Sequence, residues 1–408
     1  MNNIVIFGAQ GYALGTFKAI KTVYPDKNIL CFLVSKVGGL NPDTLGGLPV
    51  RELDEFSGSL SDIEKNQTEI IIATPENIQP EIEELLDSYG LTNHSRLTAA
   101  KWEELMMLYH AKLGRFIPLR TLSGEDLYGR VMSDREKLNK YISEVNGHVS
   151  NIDIKSFESH LHIFMAKFYK DKVLKEKVEL PDYMVPIQVG TELTDVRVAD
   201  ICDNQGNNIS KKNVNYCETT ALYWMWRNVI DVDDEINEYG IGGADYKNAV
   251  NLDVQYYGLA QYRRMFRFSD EDLLRLFFND VDVVLPYPMP YELDINAHHN
   301  RYLKDVDWNA MLTALRELSP EYAKAFEDIL KQQFMYNYNV ILAKKEVLRD
   351  YCAWLFPILE RTEELSVPKG SERADRYIGY MAETLETLYF MYNRDKFKIV
   401  HTGCKLFS

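Results

Sequence analysis

Short apolar runs broken by polar turns alternate with helix-period stretches along this chain, and the alternation sets the expected architecture. Ile4 to Phe7 reads as a strand, Gly8-Ala9-Gln10-Gly11-Tyr12-Ala13-Leu14-Gly15 as a glycine-rich turn, and the stretch to about Val23 as a helix. Further strands are expected over Ile29 to Val34 and Glu69 to Thr74, followed by a helix over Gln79 to Tyr89. Trp102 to Ser156 is charged and helical in pattern. Strand signals return at His160 to Ala166, Tyr183 to Gly190, Tyr256 to Ala260, Val281 to Leu285 and Val340 to Ala343. Helices are expected over Glu218 to Val229, Trp308 to Leu318, Ser319-Pro320 to about Gln332, Glu346 to about Glu364, and Asp375 to Tyr392. Ser319-Pro320 joins a capping hydroxyl to a proline at the first helical position. Strands alternating with helices predict an α/β fold with largely parallel sheets.

At 408 residues the chain exceeds what one hydrophobic core usually serves, so more than one domain is expected. The pattern divides it into a Rossmann-like domain over 1–105, a helical connector over 106–155 and a second α/β domain over 156–408. The opening glycines are spaced G-x-x-G-x-x-x-G, whereas a dinucleotide-binding turn needs G-x-G-x-x-G for the backbone to approach a pyrophosphate. Ser35 stands where an acidic residue would hold the ribose. A structural or sugar-nucleotide-sensing role is therefore expected ahead of a dehydrogenase acting on sugar nucleotides. The segment from Gly8 to Gly46-Gly47-Leu48-Pro49-Val50 resembles the N-terminal Rossmann-like domain of sugar O-acyltransferases and related polysaccharide enzymes.

A net charge of −15 argues against nucleic acid or an anionic membrane as a general partner, because both reward basic surfaces. The five cysteines are widely spaced, without a C-x-x-C pair, as in a reducing compartment. Met1-Asn2-Asn3 leads directly into an apolar strand and no run of eighteen apolar residues occurs, so a cytoplasmic location is expected.

Candidate chemistry begins where Tyr256-Tyr257-Gly258-Leu259-Ala260 gives way to Gln261-Tyr262-Arg263-Arg264, a strand expected to end in adjacent cations. Ligands of open α/β sheets gather beyond the carboxyl ends of strands, and a guanidinium grips phosphate through two parallel hydrogen bonds. A diphosphate site is predicted, with surface ion pairing of Arg263 and Arg264 as the plain alternative.

The string Asp203-Asn204-Gln205-Gly206-Asn207-Asn208-Ile209-Ser210, continuing to Asn213, Cys217-Glu218-Thr219-Thr220 and Trp224-Met225-Trp226, carries a family resemblance. So do Pro186-Ile187-Gln188-Val189-Gly190, Gly258 to Arg264, Asp282-Val283-Val284-Leu285-Pro286 and Tyr351-Cys352-Ala353-Trp354-Leu355-Phe356. Over about Asp153 to Phe407 these motifs resemble, in order, a bacterial family long described as a domain of unknown function. That family includes glycosyltransferases of capsular polysaccharide and O-antigen synthesis with a GT-A-like fold, some of them galactofuranosyltransferases. The resemblance implies a UDP-sugar donor, a glycan or lipid-linked glycan acceptor, and peripheral association with a membrane-bound polysaccharide assembly complex. Relatives usually carry histidine where this chain has Gln188 and Gln261. Glutamine cannot titrate near neutral pH, so a non-catalytic sugar-nucleotide-binding or assembly subunit is the alternative.

Within that resemblance Arg263 and Arg264 are expected to stabilise the diphosphate leaving group, and Glu383 in Gly379-Tyr380-Met381-Ala382-Glu383 to take the acceptor proton, with Asp375 as the second candidate base. Gln188, Asn208, Asn213, Glu218, Gln261, Tyr262 and Asn339 are the expected substrate contacts. Asp280-Val281-Asp282 has the D-x-D spacing of a divalent-metal site but precedes its strand, so no cofactor is certain from the sequence: a divalent metal is one alternative, and arginines in its place the other. His160 with His162, and His298 with His299, lack the companions of a zinc site, and His401 reads as a strand residue.

Overall fold

A computed structural model describes residues 3–38, 41–122, 157–175, 177–231 and 254–407. Most of the expected helical connector, 123–155, lies outside the described residues. The fold is mixed α/β, built on two large sheets. The first contains β1 (Asn3–Phe7), β2 (Asn28–Val34), β3 (Thr44–Leu45), β4 (Leu48–Glu52), β5 (Glu69–Ile72) and β6 (His94–Arg96), ordered β3-β4-β2-β1-β5-β6. Its pairings are parallel except for the β3–β4 hairpin. Helices α1 (Gly11–Val23), α2 (Leu53–Gly58), α3 (Asp62–Gln67), α4 (Gln79–Ser88) and α5 (Ala99–Leu113) connect or cover it. Both sheet faces are buried: Ile4, Ile6, Phe32 and Val34 enter one core, and Val5, Phe7, Leu33, Ile70 and Ile72 the other. That is why these strands read as unbroken apolar runs.

The second sheet runs β16-β12-β15-β10-β7-β8-β9, from β7 (Leu161–Lys167), β8 (Met184–Gln188), β9 (Ile201–Cys202), β10 (Tyr256–Gln261), β12 (Val283–Pro286), β15 (Ile341–Lys344) and β16 (Ile399–Thr402). Only β15 runs against its neighbours along this path. Alternate residues enter opposite cores: Phe164, Tyr257, Leu259, Val283 and Ile341 on one face, Ile163, Met165, Tyr256, Val284 and Leu342 on the other. The first face is covered by α6 (Asn213–Tyr216), α7 (Thr219–Met225), α10 (Asp305–Leu318), α11 (Pro320–Leu330), α12 (Lys345–Leu365) and α13 (Tyr377–Tyr392). On the other lies α8 (Asp270–Phe278), and α9 (Ile295–His298) follows β13 (Met289–Pro290), which pairs antiparallel with the distant β14 (Phe334–Met335) in a separate two-stranded sheet. Among the described residues no helix is long and apolar enough to cross a membrane.

Two expectations need correction. The chain does not stop at the arginines: Gln261 pairs antiparallel with Arg264, so Tyr262-Arg263 is a tight turn into β11 (Arg264–Phe266), itself paired with β17 (Cys404–Leu406). Arg263 thus occupies the tip and Arg264 the return strand. The helix expected from Asp375 begins at Tyr377, because Arg376 adopts a left-handed conformation at its N-cap.

The expected boundary at residue 105 falls inside α5. Ala19 of α1 and Met106 and Tyr109 of α5 share one core with Tyr287, Ile295 and Phe334, so the two sheets are joined by continuous packing. The glycine turn lies in this seam. Gly8 has φ +127, and a Cβ there would sit 2.8 Å from the Ala73 carbonyl oxygen. A Cβ on Gly11 would meet the Met289 methyl at 3.0 Å and the Tyr291 ring at 3.6 Å. The N-terminus of α1, where a pyrophosphate would have to sit, is crowded by Met289 and Tyr291.

Candidate functional site

A cleft of about 850 Å³ opens beyond the carboxyl ends of β7, β8 and β10. Its walls include Phe168, Lys170, Asp171 and Lys172 after β7, Asn213, Cys217 and Glu218 at the α6–α7 junction, and Gln261 to Arg264 at the hairpin. Tyr291, His298, Tyr302, Asn337, Tyr338, Arg376, Tyr380 and Glu383 complete it. Gly258, in the middle of β10, lets the strand approach β15 closely, which sets the hairpin at the mouth of the cleft.

Arg264 stands over the Tyr338 ring, its guanidinium carbon 3.9 Å from the centroid, and donates from Nη1 to Gln261 Oε1 at 3.1 Å. Gln261 donates through Nε2 to Glu218 Oε1 at 3.0 Å and to the Tyr338 carbonyl at 2.9 Å. Asn339 donates to the same Glu218 oxygen at 2.9 Å. These bonds lock the base of the hairpin and leave Arg263 exposed at its tip. Among the described residues no carboxylate lies within ion-pairing distance of Arg263, Arg264 or Arg376. The surface ion pairs weighed against an anion site are therefore missing from the described residues.

Glu383 extends from α13 into the same cleft. Its Oε2 accepts from Asn337 Nδ2 at 3.2 Å. Burial foremost, then the charge of Glu218, pushes its carboxyl up to about 8, while Asn337, the Tyr338 backbone and Arg264 pull the other way. A carboxyl so placed is a strong base once ionised. One turn further, Glu386 is fully buried and also raised by burial.

Four of the five described non-glycine residues with positive φ border this cleft or its wall: Cys217 (+52), Tyr338 (+77), Asn339 (+49) and Arg376 (+65). Each such conformation costs about 1–3 kcal/mol and persists only where surrounding contacts impose it. Here those contacts are visible. Arg376 donates from Nε to Cys217 Sγ at 3.2 Å, and burial pushes that thiol up to about 12, so it is a neutral acceptor. The segment before Arg376 is tied down by Asn215, which donates to the Gly370 and Arg373 carbonyls at 2.7 and 2.8 Å. Arg373 in turn pairs with the buried Asp307 at 2.7 Å.

The structure brings Asn213, Glu218, Gln261, Tyr262, Arg263, Arg264 and Glu383 to the cleft. Asn213 spends its amide on the Cys217 carbonyl at 2.7 Å and Thr220 Oγ1 at 3.1 Å, and packs beneath Gly190, where a Cβ would sit 2.8 Å from its Oδ1. Asn339 lies behind the wall and reaches the cleft through Glu218. Gln188 is fully buried, donating to the Val196 carbonyl and accepting from the Val198 N–H, both at 2.8 Å. Asn208 holds its own loop through the Asn204 and Gly206 carbonyls and the Ser210 N–H. Asp375 is bound to Arg373, outside the cleft lining. Asp203, at the head of the long family string, accepts from Gly190 N, Thr191 N, Ser210 Oγ and Thr220 Oγ1, so much of that string builds the scaffold beneath the site.

Asp280 and Asp282 lie at the amino end of β12, which runs parallel to β10, and so at the sheet edge opposite the hairpin. Lys344 Nζ binds both, at 2.6 and 2.7 Å. They do not fit a metal serving this cleft. Among the described residues no group of three or more His, Cys, Asp or Glu side chains is arranged to hold a metal ion. His162 is buried beside Phe164 and Tyr257, and His401 bonds the Tyr336 hydroxyl within β16.

Arg376, Asn337 and Tyr338 escape sequence reasoning. Arg376 adjoins the candidate Asp375, and Asn337 and Tyr338 belong to the segment noted for Asn339, so the available signal was proximity in sequence to residues already chosen. No curated protein matches the chain. One solved structure, the WbbM bifunctional glycosyltransferase in its apo form, is similar at 22% identity and a TM-score of 0.46, over 61% of this chain and 45% of that one. The chain thus spans less than half the length of that protein. A family model matches residues 168–240 and 243–394, which take in the arginine hairpin, the α6–α7 junction and Glu383, and on that match the chain belongs to the family described as Domain of unknown function (DUF4422).

Proposed function

We propose that the chain is a glycosyltransferase that moves a hexosyl group from a UDP-sugar to a glycan or lipid-linked glycan acceptor, with galactofuranose the first sugar to try. The observation that carries this reading is one cleft holding arginines without carboxylate partners among the described residues, together with a carboxyl poised near neutrality, in a chain of net charge −15. Arg263 and Arg264 bind the donor diphosphate and stabilise the charge that grows as the bond from the anomeric carbon to phosphate oxygen breaks. Glu383 accepts the acceptor's hydroxyl proton as the new glycosidic bond forms, which gives inversion at the anomeric carbon. Glu218 accepts hydrogen bonds from sugar hydroxyls, held in place by Gln261 and Asn339. The GT-A-like class and a role in capsule or O-antigen assembly come with the sequence resemblance, the cytoplasmic location with the cysteine spacing and the pattern of apolar runs, and all belong to the same proposal.

Calorimetry with UDP, followed by turnover assays with UDP-galactofuranose, UDP-galactopyranose and UDP-glucose, tests the reading. Binding of UDP that is lost in Arg263→Ala and Arg264→Ala, with release of UDP from a sugar donor, supports it. Binding without turnover would make the chain a sugar-nucleotide-binding subunit. No binding of any nucleotide would sink both.

A further inference from the structure

The cleft contains a feature that diphosphate binding does not use. Tyr302 stands at its lip with half of its surface exposed. Its ring stacks on Tyr380, centroids 5.1 Å apart and planes at 23°, and meets His298 edge-on at 5.5 Å. His298, which burial lowers to about 4 and so keeps neutral, stacks on Tyr291 at 3.7 Å. The Tyr291 hydroxyl donates to Asn337 Oδ1 at 3.3 Å, and Asn337 donates to Glu383. An unbroken series of contacts thus leads from an exposed ring to the candidate base. Arg301 approaches the Tyr302 ring to 5.8 Å and leaves it half exposed.

We propose that Tyr302, backed by Tyr380, is the platform on which the acceptor's sugar ring lies. The inference rests on the glycosyl-transfer reading and adds where the acceptor binds and what its chemistry is. An aromatic face carries negative charge density and repels anions, so it does not serve the donor's phosphates. It attracts the weakly positive C–H bonds of a sugar ring, whose hydroxyls project sideways to polar partners. Glu383 has to reach an acceptor hydroxyl, and the contacts through His298, Tyr291 and Asn337 put the platform on the same wall as that carboxylate. The acceptor residue is therefore a neutral saccharide ring, and Tyr302 selects for an available C–H face.

Saturation-transfer NMR on the full chain tests this, using methyl β-D-galactopyranoside, methyl α-D-mannopyranoside and methyl α-L-rhamnopyranoside as probes, each with and without UDP. The expected result is transfer to the ring C–H protons of at least one glycoside, lost in Tyr302→Ala and kept in Tyr302→Phe, because the ring and not the hydroxyl makes the contact. UDP resonances, which report the donor site, are read in the same samples, so failure of the donor site and failure of the platform are told apart. Saccharide signals unchanged in Tyr302→Ala, or absent from the wild type with all three glycosides, overturn the platform whatever UDP does. With a turnover assay in hand, Tyr302→Ala raises the acceptor KM about three- to tenfold, the weight of one aromatic contact, while the donor KM stays put.

Discussion

Two loops of this protein lie beyond the carboxyl ends of parallel strands, where α/β proteins collect phosphates, and only one of them is open. The turn from Gly8 to Gly11 after β1 is filled by Ala73, Met289 and Tyr291. The hairpin after β10 faces an 850 Å³ cleft with Arg263 at its tip. Topology offers the same opportunity twice, and the neighbouring side chains decide which loop is used. Glycine at the first site serves close packing between two protein surfaces. At the second, no described carboxylate comes within ion-pairing distance of the cations, though Asp171 and Glu383 share the cleft with them: Gln261 and Tyr338 hold Arg264 through neutral contacts.

The sharpest way to break this contrast is to disable the open site. Glu383→Gln is expected to lower kcat by about 10²- to 10⁴-fold, the usual weight of a general base, in a donor-transfer assay. In the wild type kcat/KM should rise with pH through about 8, because burial keeps Glu383 protonated below that value and only the ionised form accepts a proton. The same group makes a stability prediction of definite sign. Its carboxyl is raised in the folded state, so the fold binds the proton more tightly than the unfolded chain, and stability is lost as pH climbs from the ordinary carboxylate range through about 8. Melting curves at pH 5 and pH 9 should therefore differ less for Glu383→Gln than for the wild type.

Next in size, Arg264→Ala should weaken UDP binding about 10- to 100-fold by calorimetry, one or two charge-assisted hydrogen bonds' worth. Gly11→Ala probes the closed loop. UDP affinity should be unchanged, and because the added methyl meets only the flexible end of Met289 at 3.0 Å while alanine favours the helix, stability in denaturant titration should change by no more than about 1 kcal/mol. A loss of UDP affinity in Gly11→Ala with stability intact would show that the first loop binds nucleotide and would remove the contrast. The smallest expected effect is that of Asp280→Asn, at the far edge of the sheet, which should change neither UDP affinity nor turnover in calorimetry and kinetics.

Much of the architecture is legible in the sequence because strands buried on both faces announce themselves as apolar runs, as in Ile4 to Phe7 and Tyr256 to Ala260. The short strands are not: Leu48–Glu52 and Arg264–Phe266 carry polar residues, and hydrogen-bonded pairing alone defines them. For the site, motif resemblance leads to Arg263, Arg264, Glu218 and Glu383, which the fold gathers in one cleft. It leads equally to Gln188 and Asn208, whose amides are consumed by nearby backbone groups. Spacing cannot separate a polar residue that meets ligand from one that holds the loop carrying it. Arg376 and Tyr338 are harder still, since their positions follow from left-handed backbone conformations that residue type does not foretell.

The seam at the glycine turn also bears on how this protein can be rebuilt. Burial foremost, then the nearby Tyr338, raises the Tyr12 hydroxyl, and Arg264 acts on it in the opposite direction, so the first turn of α1 stands within electrostatic reach of Arg264 in the cleft. The N-terminal sheet is thus no interchangeable cassette. A chimera that grafts another N-terminal unit onto this cleft must supply a matching glycine beneath Met289 and an aromatic at position 12, or the wall behind Arg264 changes together with the part that was meant to be swapped.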